Sequence, residues 1–159
     1  MMAEQRLKAI SVGGTFDVMH KGHWVLLEEA FKVADQVLIG ITTDDFAASL
    51  KKPHIIDPYA KRLQDVKDFL AEKGLLERAI FVPLSDPYGP TIDNGGLEGI
   101  IVSEETEPRA EEINQMRVSK GRRPLLMFVV TMILADDGKP ITSTRIRRQE
   151  VDRYGRLIG

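Results

Sequence analysis

Short apolar runs alternate along the chain with stretches whose apolar positions recur at helical spacing. Residues 7–12, 36–42, 79–84, 99–102 and 125–131 read as strands, and residues 21–34, 58–73, 107–120 and 143–154 read as helices. Most strand runs lack polar alternation, the pattern of strands covered on both faces. The helical stretches carry single apolar faces, as in Leu26, Leu27, Ala30 and Phe31 or in Leu63, Val66, Phe69 and Leu70, and such faces pack on a sheet. Repeated strand–helix units build a parallel sheet through right-handed crossovers. The expected fold is therefore α/β: a Rossmann-like doubly wound domain with a five-stranded parallel sheet flanked by helices. One such domain is expected to span residues 1–159.

Ligands of such folds collect at the carboxyl ends of the strands, where the strand order switches. Gly14, Thr15, His20 and His23 follow the first strand, and Thr42-Thr43-Asp44-Asp45 the second, leading to Lys51-Lys52-Pro53. Asp86-Pro87-Tyr88-Gly89-Pro90 follows the third, and Ser103-Glu104-Glu105-Thr106 the fourth. A loop ending in Thr142-Ser143-Thr144-Arg145 follows the fifth. This convergence of hydroxyl, cationic and imidazole groups at one end of the sheet argues for an active site.

Composition narrows the chemistry. At 159 residues the chain is long enough for one sizeable core. A net charge of -2 argues against a general nucleic-acid binder, although local basic patches still bind phosphates. With no cysteine, disulfides, thiolate nucleophiles and zinc–cysteine sites are excluded. Residues 1–8 lack the apolar stretch of a signal peptide, and no run is long enough to span a bilayer. A cytoplasmic protein with no membrane partner is the expectation.

The richest stretch runs from Gly13 to His23, between the first strand and the first helix. His20 and His23 stand three positions apart at the helix start, the spacing that puts two side chains on one face. Free backbone N–H groups and the positive end of the helix dipole meet there, so the junction suits an anion. Gly22 has no side chain to hold a phosphate away from the backbone. No Gly-Lys-Ser/Thr follows as in a Walker A loop, and the three-glycine rhythm of the dinucleotide fingerprint is missing. Near the other end, Thr142-Ser143-Thr144 precedes a helix with Arg145, Arg147 and Arg148 in its first turns. Cations there oppose the helix dipole, a cost that a bound polyphosphate would offset. Alone, this would be an N-cap with a solvated basic face. Beside the histidine motif, it completes two phosphate clamps from opposite ends of the chain, as a nucleoside triphosphate needs.

His20-Lys21-Gly22-His23, together with Ile141-Thr142-Ser143-Thr144-Arg145-Ile146, resembles the paired signature of the HxGH nucleotidyltransferase superfamily. Within it the chain is most similar to the phosphopantetheine adenylyltransferases of the archaeal and eukaryotic type. The residues supporting this narrower likeness are 13–17, 86–90, 102–106 and 113–117, and the resemblance covers nearly the whole chain. It implies transfer of an adenylyl group from ATP to 4'-phosphopantetheine, giving dephospho-coenzyme A and pyrophosphate in coenzyme A biosynthesis, with magnesium.

By the same resemblance, His23 contacts the α- and β-phosphates with His20 assisting, among Gly14, Phe16 and Gly22 of the opening motif. Ser143, Thr144 and Arg145 grip the outer phosphates beside Thr142, while Ser103, Glu104 and Thr106 lie near adenine and ribose. Thr15 binds the acceptor phosphate with a lysine, and Lys51 fits the family pattern better than Lys52. Pro87, Tyr88 and Gly89 line the pantetheine arm, and Asn114 and Arg117 reach substrate phosphates. Asp17 orients the histidine loop, and His54 reads as a surface residue. No His/Asp/Glu spacing suggests a protein-built metal site, so Mg2+ is expected to arrive with ATP. The acceptor phosphate is already anionic, so direct in-line attack on the α-phosphorus is the simplest mechanism, driven by orientation and charge stabilisation. Other acceptors of the superfamily (nicotinamide mononucleotide, FMN or glycerol phosphate) and a non-catalytic nucleotide or coenzyme A sensor remain open. So does the choice between a monomer and a small homo-oligomer.

Overall fold

The computed structural model describes residues 6–159. The leader reading of residues 1–8 thus rests largely on positions outside the described residues. Five strands, β1 (Leu7–Gly14), β2 (Ala34–Thr42), β3 (Ala79–Leu84), β4 (Gly99–Ser103) and β5 (Leu126–Val130), form one sheet in the order β3-β2-β1-β4-β5. Every neighbouring pair is parallel. The chain winds outward from β1 through β2 to β3, then returns beside β1 to start β4. The switch point therefore lies between β1 and β4, as the expected doubly wound topology requires.

Strand alternation assigns the two faces. Ile10 and Val12 of β1 and Val37, Ile39 and Ile41 of β2 bury against α1 (Lys21–Val33) and α3 (Tyr59–Glu72), which contribute Leu27, Ala30, Phe31, Val66 and Leu70. Leu38, Ile100 and Val102 point the other way, onto Ala110 and Ile113 of α4 (Glu107–Ser119). On that second face β1 and β2 also carry Ser11, Gly13 and Gly40, with Gly13 paired to Gly40 in the ladder. Small residues there leave space that larger ones would fill, and the space opens at the carboxyl ends of the strands.

Two elements depart from the expectation. A short helix, α2 (Asp44–Ser49), follows β2; Thr43 caps it by accepting from the Phe46 amide at 3.2 Å, with Asp44 and Asp45 in its first turn. At the other end, α5 (Ser143–Arg147) stops well short of residue 154. Gln149 turns the chain out of the helix with φ of 60°, and Val151 is then fully buried against Ala135 and Ile141. Gly155, with φ of 88°, closes this terminal turn where a Cβ would lie 2.8 Å from Ile141 Cδ1. The Arg153 carbonyl accepts the Lys21 amide at 2.9 Å, docking the segment on the start of α1. Among the described residues no helix is long and apolar enough to cross a membrane.

Candidate active site

The turn from β1 into α1 is strained where the histidines are presented. Phe16 and Val18 hold φ of 54° and 52°, a region non-glycine residues enter only when their surroundings force it. His20 caps α1: its Nδ1 accepts the Gly22 amide at 3.1 Å, and His23 Nδ1 accepts the His20 amide at 3.3 Å. The two rings stack with centroids 3.9 Å apart. An amide can only donate, so each Nδ1 is bare and the ring proton sits on Nε2. Each of the two stacked rings therefore carries an Nε2–H donor.

This arrangement corrects two expectations about the helix start. The Lys21 and Gly22 amides are already partnered, which leaves the imidazole Nε2–H groups as donors that the junction can offer. Gly22 is needed because a Cβ there would lie 2.9 Å from the His20 ring. What it makes room for is an imidazole.

Both rings are neutral. Burial, aided by the charge of Arg153, lowers His20 to about 4, and burial, aided by His20, holds His23 well below the ordinary histidine range. In the unfolded chain both return to about 6.5. Between about pH 6.5 and about pH 4 the unfolded state thus binds more protons, and stability is lost as pH falls through that window. His20 alone accounts for a loss on the order of 3 kcal/mol. Melting temperatures are expected to drop across this window, and to drop less in His20→Asn. A midpoint indifferent to pH there would contradict neutral burial.

The two ends of the chain meet at Asp17. Its carboxylate accepts from Arg147 Nε and Nη2 at 2.9 and 2.8 Å and from the Asp57 amide at 3.0 Å. Burial alone would raise this carboxyl, but Arg147 and the Asp57 amide hold it below its ordinary value. Asp17 therefore orients the histidine loop as expected, by tying it to α5 and to the segment between α2 and α3. Arg62 of α3 secures the same region from within. It is fully buried and donates to the Thr15 and Asp57 carbonyls, to Thr42 Oγ1 at 3.2 Å and to Asp44 Oδ1 at 3.2 Å. Thr42 donates in turn to Thr15 Oγ1 at 3.3 Å, leaving the Thr15 proton free to point outward.

Two chambers open at the switch point. One is walled by His20, Gly22 and His23, by Gly14 and Phe16, by Ser103 and Thr106, and by Thr142 and Ser143. The other lies under α4, over the small residues Ser11, Gly13 and Gly40, with Pro87 and Tyr88 at its side. Thr15, Lys52 and Thr106 line both chambers.

Several expected site residues stand elsewhere, each for a local reason. Lys52 rather than Lys51 reaches the junction: Lys51, at φ of 54°, turns to the outer groove over α2. Glu104 accepts the Met132 amide, bracing the segment after β5, and Glu105 takes the place at the chamber wall. Thr144 is joined to His54 and is not itself part of the wall. Arg145 is held by Asp137, Glu150 and the Pro140 carbonyl, away from both chambers. Gly89, with φ of 54°, serves the turn after β3, where a Cβ would strike Leu84. Asn114 clamps the backbone of Leu125 through both its amide atoms, at 2.9 and 2.7 Å. Arg117 is buried and donates to the carbonyls of Thr91, Asn94 and Arg123. These last two side chains support backbone and line neither chamber.

From sequence His54 read as a surface residue, yet it is largely buried; Arg62 went unmarked, Lys52 ranked below Lys51, and Arg109 went unmarked. Lys-Lys-Pro-His marks the first and third, while Arg109 of α4 lines the chamber beside Tyr88 and looks like any helix surface charge. Arg62 gave no signal, because its burial comes from three segments converging on it.

The chain is similar to known proteins over most of its length. Residues 11–149 match the cytidylyltransferase-like family. A protein of Methanothermobacter thermautotrophicus named phosphopantetheine adenylyltransferase is 44% identical over 98% of this chain and 92% of its own length. One of the same name from Methanopyrus kandleri is 43% identical over 92% of each. A crystal structure of a protein of unknown function from Archaeoglobus fulgidus superposes with a TM-score of 0.69 at 33% identity, covering 77% of this chain and 88% of that one.

Proposed function

The chain belongs to the cytidylyltransferase-like family, among its phosphopantetheine adenylyltransferases, and from that premise we propose how its two chambers divide the reaction. It transfers the adenylyl group of ATP to 4'-phosphopantetheine in coenzyme A biosynthesis, releasing pyrophosphate. In this proposal ATP occupies the chamber walled by the stacked histidines and by Thr142 and Ser143, with its base toward Ser103 and Thr106. The pantetheine arm runs under α4 past Tyr88. The observation that carries the assignment is the junction: Thr15 and Lys52 line both chambers at once. A phosphate held there reaches from one substrate to the other.

The acceptor phosphate is an anion at neutral pH, so it attacks the α-phosphorus without a general base. The chain's task is orientation and charge stabilisation. The Nε2–H groups of His20 and His23 donate to the oxygens that gain charge in the crowded transition state. Because both rings are already neutral, they serve as fixed dipoles and give up no proton. Among the described residues no cluster of three or more His, Asp or Glu side chains is placed to hold a metal. Magnesium is accordingly proposed to enter with the triphosphate, as part of the substrate. The same proposal places the enzyme in the cytoplasm, acting on these two small molecules and not on nucleic acid or a membrane.

Pyrophosphate release measured with a panel of acceptors tests this reading. Turnover is expected with 4'-phosphopantetheine; turnover only with nicotinamide mononucleotide, FMN or glycerol phosphate, or ATP binding without any turnover, would refute it. Lys52→Ala is expected to raise the acceptor KM about tenfold, the worth of one charge-assisted hydrogen bond. Lys51→Ala should leave that KM nearly unchanged. The opposite ranking would move the acceptor phosphate out of the junction.

A further inference from the structure

The strands under α4 floor their chamber with glycines, apolar side chains and two hydroxyls, Thr42 at the carboxyl end of β2 and Ser11 farther in on β1. Thr42 is committed: it donates to Thr15 Oγ1 and accepts from Arg62. Ser11 is not. It stands in register between Leu38 of β2 and Ile100 of β4, which pack with Ala110 and Ile113 of α4. Ser11 is 6% exposed and lines this chamber but not the nucleotide chamber. Its hydroxyl has no hydrogen-bond partner among the described residues, yet it is not sealed in. Among those residues the one fully enclosed side-chain polar atom without a partner is Arg122 Nε. The Ser11 hydroxyl therefore touches open space, and on this face of the sheet that space is the chamber. Alanine would fill the same place without stripping a hydroxyl of water, a loss that only a partner recovers.

We propose that Ser11 is a specificity-determining residue, whose hydroxyl hydrogen-bonds the far amide of the acceptor's arm. This role rests on the chamber under α4 being the acceptor's. Ser11 precedes Thr15 by four residues along the line of β1, about 13 Å at the rise of an extended strand. The arm of 4'-phosphopantetheine carries two amides, and the far one stands about ten bonds from the phosphorus, roughly 12 Å when extended. A phosphate held at Thr15 and Lys52 thus delivers that amide to Ser11. Leu38 and Ile100 on either side offer nothing polar, so the hydroxyl is the group on that stretch of floor able to tell an amide from a hydrocarbon. A single polar group placed in an apolar wall fixes a ligand's register and rejects analogues that leave it unpaired.

Steady-state pyrophosphate release with two acceptors tests the role: 4'-phosphopantetheine, and an analogue whose far amide is replaced by two methylenes. Wild type is expected to favour the natural acceptor about tenfold in kcat/KM, the worth of one hydrogen bond in an apolar site. Ser11→Ala should raise the KM for the natural acceptor by about the same factor and leave that for the analogue nearly unchanged, so the preference disappears. The ATP KM and kcat should hold, because Ser11 stands far from the reacting phosphates. The melting temperature should hold or rise, since the substitution removes an unpaired hydroxyl. A preference that survives in Ser11→Ala, or an equal loss on both acceptors, would overturn the proposal. So would a lower melting temperature with both the ATP and acceptor KM values raised, which would make Ser11 a packing residue. A wild type that turns over both acceptors equally well would overturn the role of Ser11 alone. One that does not use 4'-phosphopantetheine at all would overturn the assignment of the chamber, and this role with it.

Discussion

His23→Ala is expected to lower kcat by about 10²–10³-fold, the loss found when one preorganised donor to a developing negative charge is removed. The ring's Nε2–H is fixed in place twice over, by stacking on His20 and by the amide bonded to Nδ1. An alanine leaves water to fill the position, and water must reorganise as charge builds. The same substitution removes the acceptor for the His20 amide, so the α1 cap weakens by about 1 kcal/mol. Activity should therefore collapse while the fold persists. Steady-state pyrophosphate release and a thermal melt separate the two effects, and an unchanged kcat would remove His23 from the chemistry.

Arg62→Ala should do the reverse, harming the fold most and the acceptor step next. The guanidinium is fully buried and satisfies the Thr15 and Asp57 carbonyls and the Thr42 hydroxyl. Deleting it orphans those acceptors and opens a cavity, for a loss of about 3 kcal/mol. It also breaks the chain of donors from Arg62 through Thr42 to Thr15, so the Thr15 hydroxyl loses its fixed direction. In folded protein the acceptor KM should rise more than the ATP KM, with Arg62→Lys partly restoring both. Chemical denaturation and paired KM measurements decide this. Stability equal to wild type, or equal changes in the two KM values, would show that Arg62 neither braces nor aims the junction.

The sheet, its parallel sense and three of its long helices were legible because each depends on local periodicity. Val12, Ile39 and Ile101 announce buried strands, and Leu27, Phe31, Val66 and Leu70 announce one-sided helices. The histidine turn was legible for the same reason, since spacing and helix start lie within a few residues. α2 was signalled by Thr43-Asp44-Asp45, an N-cap with two acids behind it, but its apolar content is too slight for periodicity to register. The early end of α5 was hidden: Gln149 takes a left-handed backbone that glycine or asparagine would have advertised. The roles of Asn114, Arg117 and Arg145 failed for a deeper reason. Their partners are backbone carbonyls, amides and acids brought close only by the finished fold, and no spacing encodes them. His54 and Arg62 are the mirror case, polar residues drawn into the site by convergence of segments distant in sequence.

The Asp17–Arg147 pair joins residues 130 positions apart, so the histidine turn is fastened by one of the most distant contacts along the sequence. A carboxylate taken from water without its counter-charge costs several kcal/mol, so the turn has little reason to settle before α5 docks against it. Contacts of such separation are slow to close, and the grip on ATP is therefore expected to set late in folding, after the strands that carry it have paired.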